Sequence, residues 1–161
     1  TKMKKHLGML IAALSVAGCA TIQNVPYDTD EGRTIRSLAP AADKGVMYLY
    51  RDRMSHYGRF EIDIAIGDQD VTTQPACFVR IELQPGRYHV EASHPDLIGY
   101  EDEMDFDAKA GEVSFFEYKP TAAIMLQGST RIIPKSRDEV QQLIRSQNLC
   151  ASPLVTIPLG G

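Results

Sequence analysis

The stretch "RFEIDIAIG" (59–67) constrains the fold more than any other part of the chain. Phe60, Ile62, Ile64 and Ile66 alternate with Glu61, Asp63 and Ala65. A period of two gives a strand one apolar side and one wet side. Similar short runs surround it. "GVMYLYR" (45–51) reads as the first strand, and "CFVRIEL" (77–83) and "YHVEASH" (88–94) pair across a Pro-Gly turn in "QPGR" (84–87). "YEDEMDFDA" (100–108), "EVSFFEYK" (112–119), "AAIMLQG" (122–128) and "TRIIP" (130–134) supply further strand signals, while "GDQD" (67–70) and "KAG" (109–111) are turns by composition. One helix is clear. Ser136 and Glu139 form a capping box, Val140, Leu143 and Ile144 make an apolar stripe, and the helix should end near Asn148. Seven or eight short strands and one terminal helix predict an all-β fold, an antiparallel β-sandwich with one C-terminal helix, over residues 44–150. The tail 151–161, "ASPLVTIPLGG", reads either as an edge strand or as a segment that needs a partner.

The N-terminus is of another kind. A basic head, "KMKKH" (2–6), precedes the apolar run "LGMLIAALSVA" (7–17) and the small residues Ala17 and Gly18 before Cys19. That is the plan of a secretory signal peptide over 1–18. The run is too short to span a bilayer, which takes about 20 residues. "VAGC" resembles the lipobox of bacterial lipoproteins, [LV]-[AST]-[GA]-C. The resemblance implies lipidation of the Cys19 sulfur, cleavage before Cys19 and acylation of the new amino group, and several acyl chains make a durable anchor. Ala20 after the cysteine is similar to the class sorted to the outer membrane. Residues 19–43, lipidated N-terminus and then "ATIQNVPYDTDEGRTIRSLAPAAD", are small and polar and read as a tether, although "RTIRSL" (33–38) can dock.

Loss of residues 1–18 leaves 143 residues, enough for one domain with a real core. It removes three lysines and no acids, so the formal net charge goes from −4 to −7. An acidic balance gives no reason to expect nucleic acid as a partner and argues against a polybasic grip on anionic lipid. With Cys19 given to lipid, Cys77 and Cys150 remain, an even pair in an exported chain. They read as a disulfide, the alternative being two separately buried thiols.

From Lys44 to about Lys135, "KGVMYLYR", "IAIGDQDV", "IELQPGRYHVEA" and "AKAGEVSFFEY" resemble the DUF2846 family of bacterial lipoproteins. The hairpin is also similar to PEGA-type sandwich repeats. These motifs mostly mark turns, so the likeness implies a fold and transfers no catalytic residue.

Chemistry is sparse. There is no G-x-S-x-G, Walker A or G-x-G-x-x-G pattern, and Ser93, Ser114 and Ser129 have no base beside them in the sequence. His56, His89 and His94 match no compact metal spacing and read as solvent-facing, so neither a metal nor a cofactor is expected beyond the lipid on Cys19. Tyr48, Tyr50, Phe115, Phe116 and Tyr118 read as core packing. Glu101, Glu103, Asp105 and Asp107 share one face of their strand and repel one another. They are paired by basic residues on the next strand, or attract a cation or basic partner, or guard an edge. The expectation is a non-enzymatic, lipid-anchored structural or protein-interaction module at the periplasmic face of the outer membrane, contacting the bilayer and another envelope protein. The alternatives are a glycan- or metal-binding module, or a glycan hydrolase using two of Glu82, Asp96 and Glu117.

Overall fold

The computed structural model describes residues 23–123 and 126–159. The signal peptide, Cys19 and Ala20 therefore lie outside the described residues. The period-two patterns form strands β1 Gly45–Tyr50, β2 Ile62–Ile66, β3 Gln69–Thr73, β4 Cys77–Leu83 and β5 Gly86–Ala92. They continue as β6 Asp102–Ala108, β7 Val113–Thr121, β8 Ser129–Lys135, β9 Cys150–Ala151 and β10 Val155–Ile157. Helix α1 is Asp30–Arg36 and α2 is Arg137–Gln147. One sheet has the order β10-β4-β1-β7-β8, with β9 also on β4, and the second has the order β3-β2-β5-β6.

This corrects the expected antiparallel β-sandwich with one C-terminal helix. The fold is mixed α/β, with two helices and two open sheets, and β1 pairs with β7 in parallel, as β4 does with β9 and β10. The physical reason is a matter of direction. Short turns reverse the chain at each step, so β1 and β7 run the same way after the chain has twice visited the second sheet. Helix α2 then carries the chain back, and β9 and β10 descend beside β4. Neither pairing is written in the local periodicity.

The sheets enclose one core, where Met47 and Leu49 of β1 and Val79, Ile81 and Leu83 of β4 meet Ile64, Ile66, Tyr88, Val90 and Phe106. The other face of the first sheet builds a second core. There Val46, Tyr48, Tyr50, Phe78 and Phe115 pack under Ile35, Leu38, Val140 and Leu149. Covered on both faces, β1 is buried at all six positions, which is why its sequence shows no alternation.

Residues 23–43, read from composition as a tether, are folded onto this face. Thr29 caps α1 by accepting from the Gly32 N–H, and Ile35 is fully buried. A polar peg holds the strap down. The Tyr48 hydroxyl donates to the Ile35 carbonyl (2.7 Å), and the buried Arg80 donates to the Ala39 carbonyl (2.6 Å), to Tyr48 Oη (2.8 Å) and to Glu82 (3.0 Å). Burial works to raise the Glu82 carboxyl, but Lys44 and Arg80 outweigh it and hold it below the ordinary value.

The expected hairpin of 77–83 with 88–94 does not form, because the turn between β4 and β5 carries the chain from one sheet to the other, where β5 pairs with β2 and β6. Other boundaries differ in detail. Phe60 lies outside β2 and is exposed rather than inward. β3 occupies part of the "GDQD" turn, leaving the reversal to Gly67 (φ +58°) and Asp68. The expected strand 122–128 is instead the loop between β7 and β8, of which residues 124 and 125 lie outside the described set. Helix α2 follows its sequence signals, with Ser136 and Glu139 bonded reciprocally and Asn148 as a left-handed C-cap (φ 48°). The tail supplies the edge strand β10, and Cys77 and Cys150, opposite one another on β4 and β9, form a disulfide.

Candidate functional site

Three loops leave the same end of the two sheets: 51–61 after β1, 93–101 after β5 and 122–128 after β7. Arg51 organises the first. It is fully buried, and its guanidinium donates to the carbonyls of Tyr57 (2.5 Å), Phe60 (2.5 Å) and Thr73 (3.1 Å), while its own N–H donates to the Cys77 carbonyl (3.1 Å). It has no carboxylate partner within ion-pair distance among the described residues. The ring of Tyr118 lies 5.9 Å away. Burial pushes the Arg51 guanidinium down from its usual range and lifts the Tyr118 phenol to about 12. Three carbonyl dipoles thus stand where a counter-ion would.

His94 joins all three loops. Its ring is buried rather than solvent-facing, a correction to the reading from sequence. Nδ1 accepts from the Asp96 N–H (3.1 Å), Nε2 lies 3.3 Å from the Thr121 carbonyl, and Tyr57 meets the ring edge-on at 5.5 Å. The Tyr57 hydroxyl in turn donates to Asp96. A Cβ on Gly99 or Gly128 would overlap the imidazole, so both glycines make room for it.

Beside this platform a cleft of about 280 Å³ is lined by Asp52, Ser55, His56 and Glu117, among others. Three of its polar groups are committed to the scaffold, whereas the Ser55 hydroxyl is buried with no partner among the described residues. Asp52 accepts from the Met54 N–H (2.7 Å) and the Gln147 amide (2.9 Å), His56 Nδ1 accepts from the Ala122 N–H (3.1 Å), and Glu117 is paired to Lys135 (3.2 Å). Burial first, and then the charge of Glu117, raise the Tyr50 phenol well above its ordinary value. The three carboxylates considered for glycan hydrolysis are held apart by different partners. Glu82 lies opposite Val46 under the strap, Asp96 sits in the second loop, and Glu117 is on β7 opposite Tyr50.

The acidic strand forms the edge of the second sheet as β6. Phe106 and Ala108 face the core and Met104 packs against it, while Glu101, Glu103, Asp105 and Asp107 are exposed. Basic neighbours on β5, and Lys109 just after β6, answer part of the row. Arg87 donates to Asp105 (2.6 Å), His89 lies 3.3 Å from Asp105 and 3.6 Å from Glu103, and Lys109 lies 4.0 Å from Asp107. The bond from Arg87, with help from His89, holds the Asp105 carboxyl below its usual range. Asp105→Asn should leave the unfolding midpoint nearly unchanged, since the site is exposed and water replaces the lost pair. Met104→Ala should cost about 1–2 kcal/mol for a half-buried side chain. Chemical denaturation of both variants checks this, and the reverse order of losses would mean that the strand faces the other way.

Among the described residues no group of three His, Cys, Asp or Glu side chains converges to hold a metal ion. No described helix is long and apolar enough to cross a membrane. No known protein-family model matches the chain, and neither does any curated protein. The buried roles of Arg51 and His94 were absent from the sequence reading. Their only local signals are an arginine closing a wholly apolar strand and a histidine directly before Pro95.

Proposed function

We propose that this chain is a periplasmic lipoprotein anchored in the outer membrane through Cys19, acting as a non-enzymatic structural or protein-interaction module of the cell envelope. The observation that carries the reading is the N-terminal plan: basic head, eleven-residue run and "VAGC". The Cys77–Cys150 disulfide supports it, because such bonds persist in oxidising compartments. The exposed acidic row on β6 supports a partner with a basic surface, since like charges left only partly paired favour a complementary face. The likeness to bacterial lipoprotein families belongs to the same proposal and rests on the motifs quoted above.

A glycan hydrolase is the second reading, favoured by one observation: Asp52 and Glu117 line the same cleft. It is the weaker reading because each carboxylate already holds up the scaffold. Intact-mass analysis of the protein isolated from its native envelope should show a chain beginning at Cys19 with acyl chains attached. The Cys19→Ser variant should remain uncleaved or leave the membrane fraction. An unmodified Cys19 in the native protein would overturn the proposal.

A further inference from the structure

The strap has a direction that bears on the three loops. The Gln74 amide, oriented to satisfy both contacts, donates to the Gln23 carbonyl (3.1 Å) and accepts from the Gln23 N–H (3.3 Å). Val25 donates to the Ala151 carbonyl (2.9 Å), and Ala151 pairs with Phe78 near the start of β4. The chain therefore enters the fold at the loop end and runs from there to Lys44 at the far end. Three residues separate Gln23 from Cys19, and the four steps from one to the other span at most roughly 14 Å.

At that same end the surface is apolar. Of the eight large hydrophobic side chains exposed among the described residues, six lie in these loops: Met54, Phe60, Leu97, Ile98, Tyr100 and Leu126. Leu97 is 106% exposed and Met54 84%, and Ile98, Tyr100 and Leu126 lie together along one shallow depression beside them. The loops presenting them are pinned to one another by His94, by the Tyr57–Asp96 bond, and by the bridge between Tyr100 and Ser129. Projecting Leu, Ile and Met beside a Tyr suit the boundary between headgroups and acyl chains, where the aliphatic parts bury and the phenol stays wet.

We propose that the loop end docks on the bilayer, Met54, Leu97, Ile98, Tyr100 and Leu126 inserting shallowly into the leaflet that holds the acyl chains of Cys19. This rests on the Cys19 reading for its geometry, because the short link brings that end, and not the acidic face of β6, to the membrane. Attachment is apolar rather than electrostatic, as the acidic balance of the chain requires. Docking fixes the orientation of the domain and turns the acidic sheet edge sideways, towards neighbours in the envelope.

The chain has no tryptophan, so one can serve as a reporter. The Leu97→Trp variant of the full protein, purified from membranes, is placed in zwitterionic phosphatidylcholine vesicles with brominated acyl chains. Its emission should shift to the blue and lose intensity to the bromines relative to vesicles without them. The Leu159→Trp variant, at the opposite end beside Gly86, should show neither change. Adding anionic lipid or salt should leave the difference in place. The mass of the same preparation reports Cys19 separately. A lipidated protein whose Leu97→Trp emission is unquenched overturns docking and leaves the anchor standing. An unlipidated Cys19 overturns the anchor, and quenching at position 97 then decides docking alone. A blue shift that grows with protein density but ignores the bromines means that another copy covers the loops, which also overturns docking.

Discussion

Replacing Arg51 by methionine is expected to destabilise the protein by about 3–5 kcal/mol, measured as the free energy of urea unfolding. Methionine keeps most of the apolar length but donates nothing. The carbonyls of Tyr57 and Thr73 then lose their donor in the interior, while that of Phe60, nearer the surface, can recover a water. An orphaned buried acceptor costs about 1–3 kcal/mol, which sets the range. The loss should be concentrated in the first loop, and amide exchange at residues 52–61 should rise before global unfolding. A loss under about 1 kcal/mol would mean that the guanidinium is dispensable to the loop.

Removing the disulfide by Cys77→Ser with Cys150→Ser should cost about 4 kcal/mol. The bridge joins residues 73 apart, and closing so long a loop takes much of the freedom of the unfolded chain away. Loss of the bridge releases β9 from β4 and loosens the return of the chain after α2. The two losses should not simply add, because the Arg51 N–H bonds the carbonyl of Cys77 itself. Denaturation midpoints of the single, double and combined variants measure both effects. An oxidised and a reduced protein of equal stability would contradict the second.

The sequence spoke clearly wherever one residue's neighbours along the chain decide its environment. The alternation in β2 and β6 and the capping box of α2 are of this kind, and so is the existence of β1 as a strand, though not its burial on both faces. It was silent where the environment comes from afar. Helix α1 has only seven residues, too few to stand alone, and exists because Ile35 finds a pocket over β1. The parallel partners of β1 and β4 depend on the path of the chain between them. Phe60 continued a correct pattern one step too far, since Arg51 draws its carbonyl out of the ladder. Of the candidate site, the acidic face was visible and the loop platform was not. A buried arginine or histidine looks like an ordinary polar strand end until its carbonyl partners are known.

The central position of β1 also dictates an order of assembly. Its neighbours arrive only with Phe78, opposite Tyr50, and Val113, opposite Val46, and the strand beyond β4 is not made until Val155–Ile157. A chain whose middle strand waits for partners so far downstream gains little from its first half alone, and contacts of such separation fold slowly. Until the last turns are made, β1 and β4 lack part of their neighbours, so the described sheets close late and together.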